Sequence, residues 1–421
     1  MTQAQFDRIE ARLPELLSEL GSARVPDYFD DMLQQTGRTR QRAAWSLPER
    51  WLPMGVIARP ALAGLPAWRP ILIGVLIVLG IVAGALIYVG SRPIPLPPPF
   101  GPAGNGNLYF ADARGDIFAM DPATFTPRTI IAGQNQYRAP LPSRDGRLIM
   151  LLRGDQVFVA NGDGSNVHAL PGHYTQIDEQ DWSADSAHVG IRSQINGKSA
   201  LTILSADGSD AKTLSPEGDL DVSNFSFLPD GRIFFLGTGL VASNDTWGIY
   251  VMNADGTGVQ PIVPPSRQEG DFIAPWPSPD GKSVVYHVWR DPDEQGVLYV
   301  SDIATGESHK IAVAGLPQDE YEVPQFSPDG KSILVLRFDS CCRTLTVVPA
   351  AGGPPIDIGE RIDGNGGQVA DAFYSPDGKS VIAWYPASRK LWLLDPTGAT
   401  PDRQIGLQLS DVPAWQRIAT R

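Results

Sequence analysis

Carboxylates recur along the C-terminal three quarters of this 421-residue chain in short clusters: Asp178, Glu179 and Asp181; Asp219 and Asp221; Glu269 and Asp271; Asp319, Glu320 and Glu322; Asp371; Asp411. Gathered at one opening, such groups would raise the local concentration of cations. The chemistry on offer is binding of a basic peptide segment or a metal ion. Asp181, Asp221, Asp271, Glu322, Asp371 and Asp411 are the candidate ligand-binding residues. Keeping loops soluble is the plainer use of the same charge. Covalent chemistry has no comparable support. No G-x-S-x-G turn is present to expose a nucleophilic serine. The histidines, His168, His173, His188, His287 and His309, form no H-x-x-H or H-E-x-x-H set. No catalytic residue and no cofactor are therefore expected. His188 and His287 read as strand residues and His173 as a loop residue.

Three Asp-Gly segments, at Asp163, Asp207 and Asp255, resemble calcium loops but lack the downstream bidentate Glu. Asp-Gly between strands is the usual hairpin solution. Arg-Gly-Asp at 114–116 and 153–155 falls where tight turns are needed. Cys341 and Cys342 are adjacent. Neighbouring Cα atoms lie about 3.8 Å apart, below the usual disulfide range, so two free thiols are expected.

What could gather the carboxylates is a repeat. Ser-Pro-Asp-Gly-Lys-Ser occurs at Ser278–Ser283, Ser327–Ser332 and Ser375–Ser380, each copy followed by an apolar run. Degenerate copies begin at Ser143, Ser183 and Leu228. The aligned aspartates, 145, 185, 230, 280, 329 and 377, are 40, 45, 50, 49 and 48 residues apart. That period, built from short β-runs, marks a β-propeller with one four-stranded blade per repeat. In the copy near Asp271 the strands are placed at 272–276, 283–289, 296–301 and about 309–312. The aromatic before each turn (Trp182, Phe227, Trp276, Phe326, Tyr374) is expected to pack between blades. Six turns give six inner strands, and 413–416 supplies a seventh with no partners after it. Its partners lie at 108–110, 116–120 and 128–131. Pairing 413–416 with 108–110 would close the ring and remove exposed sheet edges. The expected fold is all-β: a seven-bladed propeller over 107–417, about 44 residues per blade, with six blades as the alternative.

These residues resemble the TolB-type, WD-like propeller repeat, whose core reads aromatic-Ser-Pro-Asp-Gly-Lys-x-Ile. The Ser278 copy departs from it by Pro277, inserted after its aromatic. The resemblance implies a propeller of a family that includes periplasmic protein-binding modules and the non-catalytic propellers of some peptidases. It implies no particular function.

The chain has 34 basic and 47 acidic residues, net −13, with no basic stripe, which argues against nucleic acid. Ile71–Gly90 is a run of 20 residues without a charge. As a helix it would be roughly 30 Å long, one hydrocarbon core. It starts too late and runs too long for a signal peptide. A single transmembrane helix over 70–90 is expected. Arg50, Arg59 and Arg69 precede it and only Arg92 follows closely, which puts the N-terminus in the cytoplasm and the propeller outside. Residues 1–68 read as a short helical cytoplasmic segment, with little apolar material for a core. The Pro-rich linker, 91–106, reads as a stiff spacer.

The layout is similar to that of membrane-spanning anti-sigma regulators, without the His and Cys pattern of their zinc-binding members. The leading expectation is a membrane-anchored scaffold or sensor for a protein, peptide or envelope ligand. Transmembrane regulation through 1–68 is the first alternative. A metal-dependent enzyme in the channel is the second.

Overall fold

The computed structural model describes residues 68–90, 95–132, 136–195, 198–214, 220–239, 246–266, 272–290, 295–313, 320–338, 342–363, 371–385, 390–409 and 413–420. The chain divides into two units, 1–93 and 94–421. In the first, a 23-residue helix, α1, runs from Trp68 to Gly90. Its described side chains, 72–84, are all exposed, Leu76, Ile77 and Ile81 among them. Among the described residues no helix is long and apolar enough to cross a membrane. The helices read from the sequence within 1–67 lie outside the described residues.

The second unit is seven four-stranded antiparallel sheets, numbered as blades by their inner strands: Ala414–Ile418 (blade 1), Arg138–Pro142 (blade 2), Thr175–Trp182 (blade 3), Leu220–Phe227 (blade 4), Phe272–Pro277 (blade 5), Glu320–Phe326 (blade 6) and Asp371–Tyr374 (blade 7). Blade 5 shows how closely local chemistry sets a blade. Its strands are Phe272–Pro277, Ser283–Arg290, Gln295–Asp302 and Ser308–Lys310. Blade 1 closes the ring. The C-terminal strand Ala414–Ile418 pairs with Gly104–Ala111, which continues to Ile117–Met120 and Pro127–Ile131. The register sets Leu108 opposite Trp415 and Tyr109 opposite Ala414. Seven blades, not six, are present.

Each Ser-Pro-Asp-Gly turn is held by the same bonds. In blade 6 the Ser327 hydroxyl donates to Asp329 Oδ1 (2.7 Å) and accepts from the Ser332 amide (3.0 Å), while Asp329 also accepts from the Lys331 amide (3.1 Å). Gly330 takes φ +71°, a value that costs glycine nothing. Burial works against the charge of Asp280, Asp329 and Asp377. The serine and amide hydrogen bonds outweigh it and hold all three below the usual carboxylate range.

A blade has two apolar faces, so the core is divided among the gaps between blades. Seven buried clusters occupy them. One joins Met150 and Leu152 of blade 2 to Trp182 and Val189 of blade 3. Another joins Leu108 and Met120 of blade 1 to Ile382 and Leu391 of blade 7. The aromatics before the turns fill these gaps as expected at Trp182, Phe227, Phe326 and Tyr374.

Trp276 is the exception, at 42% exposed. Pro277 stands opposite Val284, the register position that Phe227 holds opposite Ile233 and Phe326 opposite Ile333. The inserted proline moves Trp276 one residue upstream, and side chains alternate along a strand. The expectation that Trp276 packs between blades is therefore corrected.

Cys342 is disulfide-bonded, and no described cysteine is free, which overturns the expectation of free thiols. Cα spacing alone does not fix the side-chain torsions that set sulfur reach. The chain's other cysteine, Cys341, lies outside the described residues.

Candidate functional site at the turn end of the channel

The last two residues of the six inner strands that precede a repeat turn, residues of those turns, and Ala414, Trp415 and Arg417 of the C-terminal strand surround a cavity of about 430 Å³. The residue before the inter-blade position contributes Leu141, Asp181, Ser226, Trp276, Gln325 and Phe373 to its lining. The turn prolines Pro229, Pro279, Pro328 and Pro376 contribute too. In the Ser143 copy the corresponding residue is Arg144. The cavity thus combines rigid apolar walls with a few polar groups, the usual make-up of a binding pocket.

Those polar groups are unevenly satisfied. Asp181 is fully engaged: it accepts from Arg144 Nη2, from the Ser226 hydroxyl (2.8 Å) and from the Phe227 amide (3.0 Å). Tyr374 Oη, Trp415 Nε1, Gln325 Oε1 and Arg417 Nε are buried and have no hydrogen-bond partner among the described residues. An unmade bond at a buried donor costs about 1–3 kcal/mol. Burial pushes the Tyr374 phenol well above its usual range, and the Asp329 charge pushes it further. Burial, with Arg144 close by, lowers the Arg417 guanidinium to about 10.

The Pro-rich segment meets this opening. Pro97 is buried, and Arg417 Nη2 donates to the carbonyls of Pro98 (3.0 Å) and Gly101. The Phe100 ring lies 4.6 Å from the Arg144 guanidinium. Ala103 N donates to Pro376 O (2.9 Å). Residues 95–103 are therefore a strap on the propeller, where the sequence suggested a spacer.

The sequence-expected acidic mouth is arranged differently. Asp181 sits beside Trp182 at the turn end of its strand and lines the cavity. Asp221 lies six residues before Phe227, toward the start of its strand, with Oδ1 buried and unpartnered. Asp371 is the first residue of its strand and is exposed. Glu322 lies in the inner strand of blade 6, and Asp271 and Asp411 fall outside the described residues. The structure does not bring Asp181 and Asp221 to one end. Among the described residues no group of three or more His, Cys, Asp or Glu could hold a metal ion.

The remaining motifs are turns. Asp163 accepts from the Ser165 amide (2.9 Å), and Gly115 and Gly154 take positive φ. His173 pairs with Asp155 (2.9 Å) in an exposed loop, and His287 is buried in a strand.

Sequence reasoning missed Arg144, Gln325, Trp415 and Arg417. Two of the departures from the repeat pointed here: arginine in place of the turn proline at 144, and the insertion of Pro277 that exposes Trp276.

No family model matches the chain. Over 170 residues it is 26% identical to a probable dipeptidyl-peptidase 5 of Emericella nidulans, a match covering 38% of this chain and 23% of that protein. Among solved structures, the tricorn protease aligns over 77% of this chain and 36% of its own (TM-score 0.54, 13% identity). The β-propeller domain of the Trilobed protease from Pyrococcus furiosus aligns over 74% and 97% (TM-score 0.52, 12% identity). TolB from Acinetobacter baumannii aligns over 74% and 82% (TM-score 0.47, 15% identity). The Trilobed protease domain is described as having an open velcro topology. Here the pairing of Ala414–Ile418 with Gly104–Ala111 closes the ring.

Proposed function

We propose that this chain is a membrane-anchored scaffold or sensor whose propeller binds a protein or peptide segment at the turn end of its channel. The observation that carries the reading is the cavity itself, with aromatic and proline walls and four buried polar atoms left without partners. Native proteins rarely leave such atoms unpaired, and sites that await a ligand are one place where they do. The anchor rests on the sequence alone: the uncharged run 71–90 and the arginines before it, which favour a cytoplasmic N-terminus and an extracytoplasmic propeller.

The test replaces Trp276 by a photo-crosslinking p-benzoylphenylalanine in cells, with the same substitution at exposed Glu307 on an outer turn as control. A discrete adduct from position 276 only, in the membrane fraction, is expected. Identical patterns at both positions, or no adduct at 276, would sink the binding site. Release of the chain from membranes by alkaline carbonate would sink the anchor.

A further inference from the structure

The binding reading above leaves the chemistry of the ligand open, and the charge of the cavity narrows it. The protein as a whole is acidic, at net −13. The cavity is not. Arg144 and Arg417 line it, and Asp181 is the one carboxylate among the described lining residues. Asp181 is already matched by Arg144. Arg417 has no carboxylate partner among the described residues. Its Nη2 is directed to two backbone carbonyls of the strap, and its Nε has no partner.

Tyr374 and Trp415 share that wall, their rings packed into the gaps on either side of blade 7. Tyr374 comes from blade 7, and Trp415 and Arg417 from the C-terminal strand of the adjacent blade 1. One side of the cavity therefore offers a guanidinium with no carboxylate to match it among the described lining residues. A guanidinium fork matches a carboxylate with two parallel bonds, shorter and stronger than those to a neutral carbonyl.

We infer that the cavity takes a carboxylate-bearing peptide, held through Arg417, and that the strap 95–101 occupies part of that site in its absence. A peptide is favoured over other acids because the strap is itself an extended peptide. It presents to Arg417 and Arg144 what such a ligand would present: carbonyl oxygens at Pro98 and Gly101, and an aromatic ring at Phe100. Proline-rich extended chains pair well with aromatic-lined surfaces because little conformational entropy is lost. The ligand's carboxylate supplies a full charge where the strap supplies dipoles, so it displaces the strap. Partial burial of Arg417 beside Arg144 sharpens the preference, because an anion there relieves both desolvation and like-charge repulsion.

The experiment uses the full chain in detergent micelles and the tripeptide N-acetyl-Pro-Pro-Phe, once as the free acid and once as the C-terminal amide, titrated by calorimetry. The acid should bind at least tenfold more tightly than the amide. Arg417→Gln should erase that difference, and Arg417→Lys, which keeps the charge without the fork, should reduce it. Phe100→Ala, which loosens the strap, should tighten binding of the acid several-fold. Equal binding of acid and amide by the wild-type chain would overturn the carboxylate inference and leave the binding site standing. No binding of either form, even by Phe100→Ala, would overturn both. Arg417-dependent binding of digalacturonate with no binding of the tripeptide acid would overturn the choice of a peptide.

Discussion

The strict turns of blades 5 to 7 and the degenerate turns of blades 2 to 4 fold alike but do different work. In the strict copies the side chains bond within the turn: Ser327 to Asp329, Ser375 to Asp377, Ser278 to Asp280. In the degenerate copies, residues that break the pattern reach outward. Arg144, in place of proline, contacts Asp181 of blade 3 and stacks on Phe100 of the strap. Ser186, in place of glycine, sits at φ 59° and accepts the Asp145 amide of blade 2. Leu228, in place of serine, keeps the backbone pairing with Arg232 (2.8 Å) without the hydroxyl. A turn held by its backbone can lend its side chains to neighbours. The consensus is the version with nothing else to do.

The largest expected effect separates the buried from the exposed aromatic. Trp182 is 1% exposed and donates across the gap to Leu141 O (3.0 Å). Trp182→Ala should cost about 3–5 kcal/mol of unfolding free energy. Trp276→Ala should change it by about 0.5 kcal/mol or less. Urea midpoints of the two variants check the contrast, and equal losses would break it.

Glycines come next. A Cβ on Gly146 (φ +72°) would collide with the Arg417 carbonyl at the ring closure, while one on Gly330 (φ +71°) would meet only Pro279 Cδ at 3.8 Å. Gly330→Ala should cost about 1–2 kcal/mol, the backbone penalty alone. Gly146→Ala should cost more and should expose the C-terminal strand to carboxypeptidase.

Removing the serine hydroxyl should have a smaller effect. Ser327→Ala should cost about 1 kcal/mol, and Ser375→Ala, which removes the same bond to Asp377, about as much. Thermal melts measure both.

The smallest is the pH response. The aspartates of the strict turns are held below their ordinary value of 3.8. Each therefore adds stability that is complete above about that pH and is lost as pH falls through the depressed native value. Melting temperature should be flat from pH 7 to 5 and fall below pH 4, and the triple variant Asp280→Asn, Asp329→Asn, Asp377→Asn should lose part of that drop, the rest coming from other lowered carboxyls such as Asp185 and Asp395.

Blade period, turn chemistry, strand placement and the pairing that seals the ring were all legible along the chain. They depend on local pattern: period-two alternation, turn residues at fixed offsets, and the count of strands left without partners. The site was only partly legible. Asp181 belongs to it, but strand polarity alone could not show that Asp181 and Asp221 lie toward opposite ends of their strands. Nor could it show that a proline-rich segment folds back onto the propeller instead of standing clear.

The sequence by itself determined the repeating unit, because a hairpin is fixed by residues within reach of one another. The tertiary structure alone decided which side chains surround the cavity. Tyr374, Trp415, Arg144 and Gln325 are remote along the chain and meet only because seven blades stack into a ring. Their shared surroundings exist only after it closes.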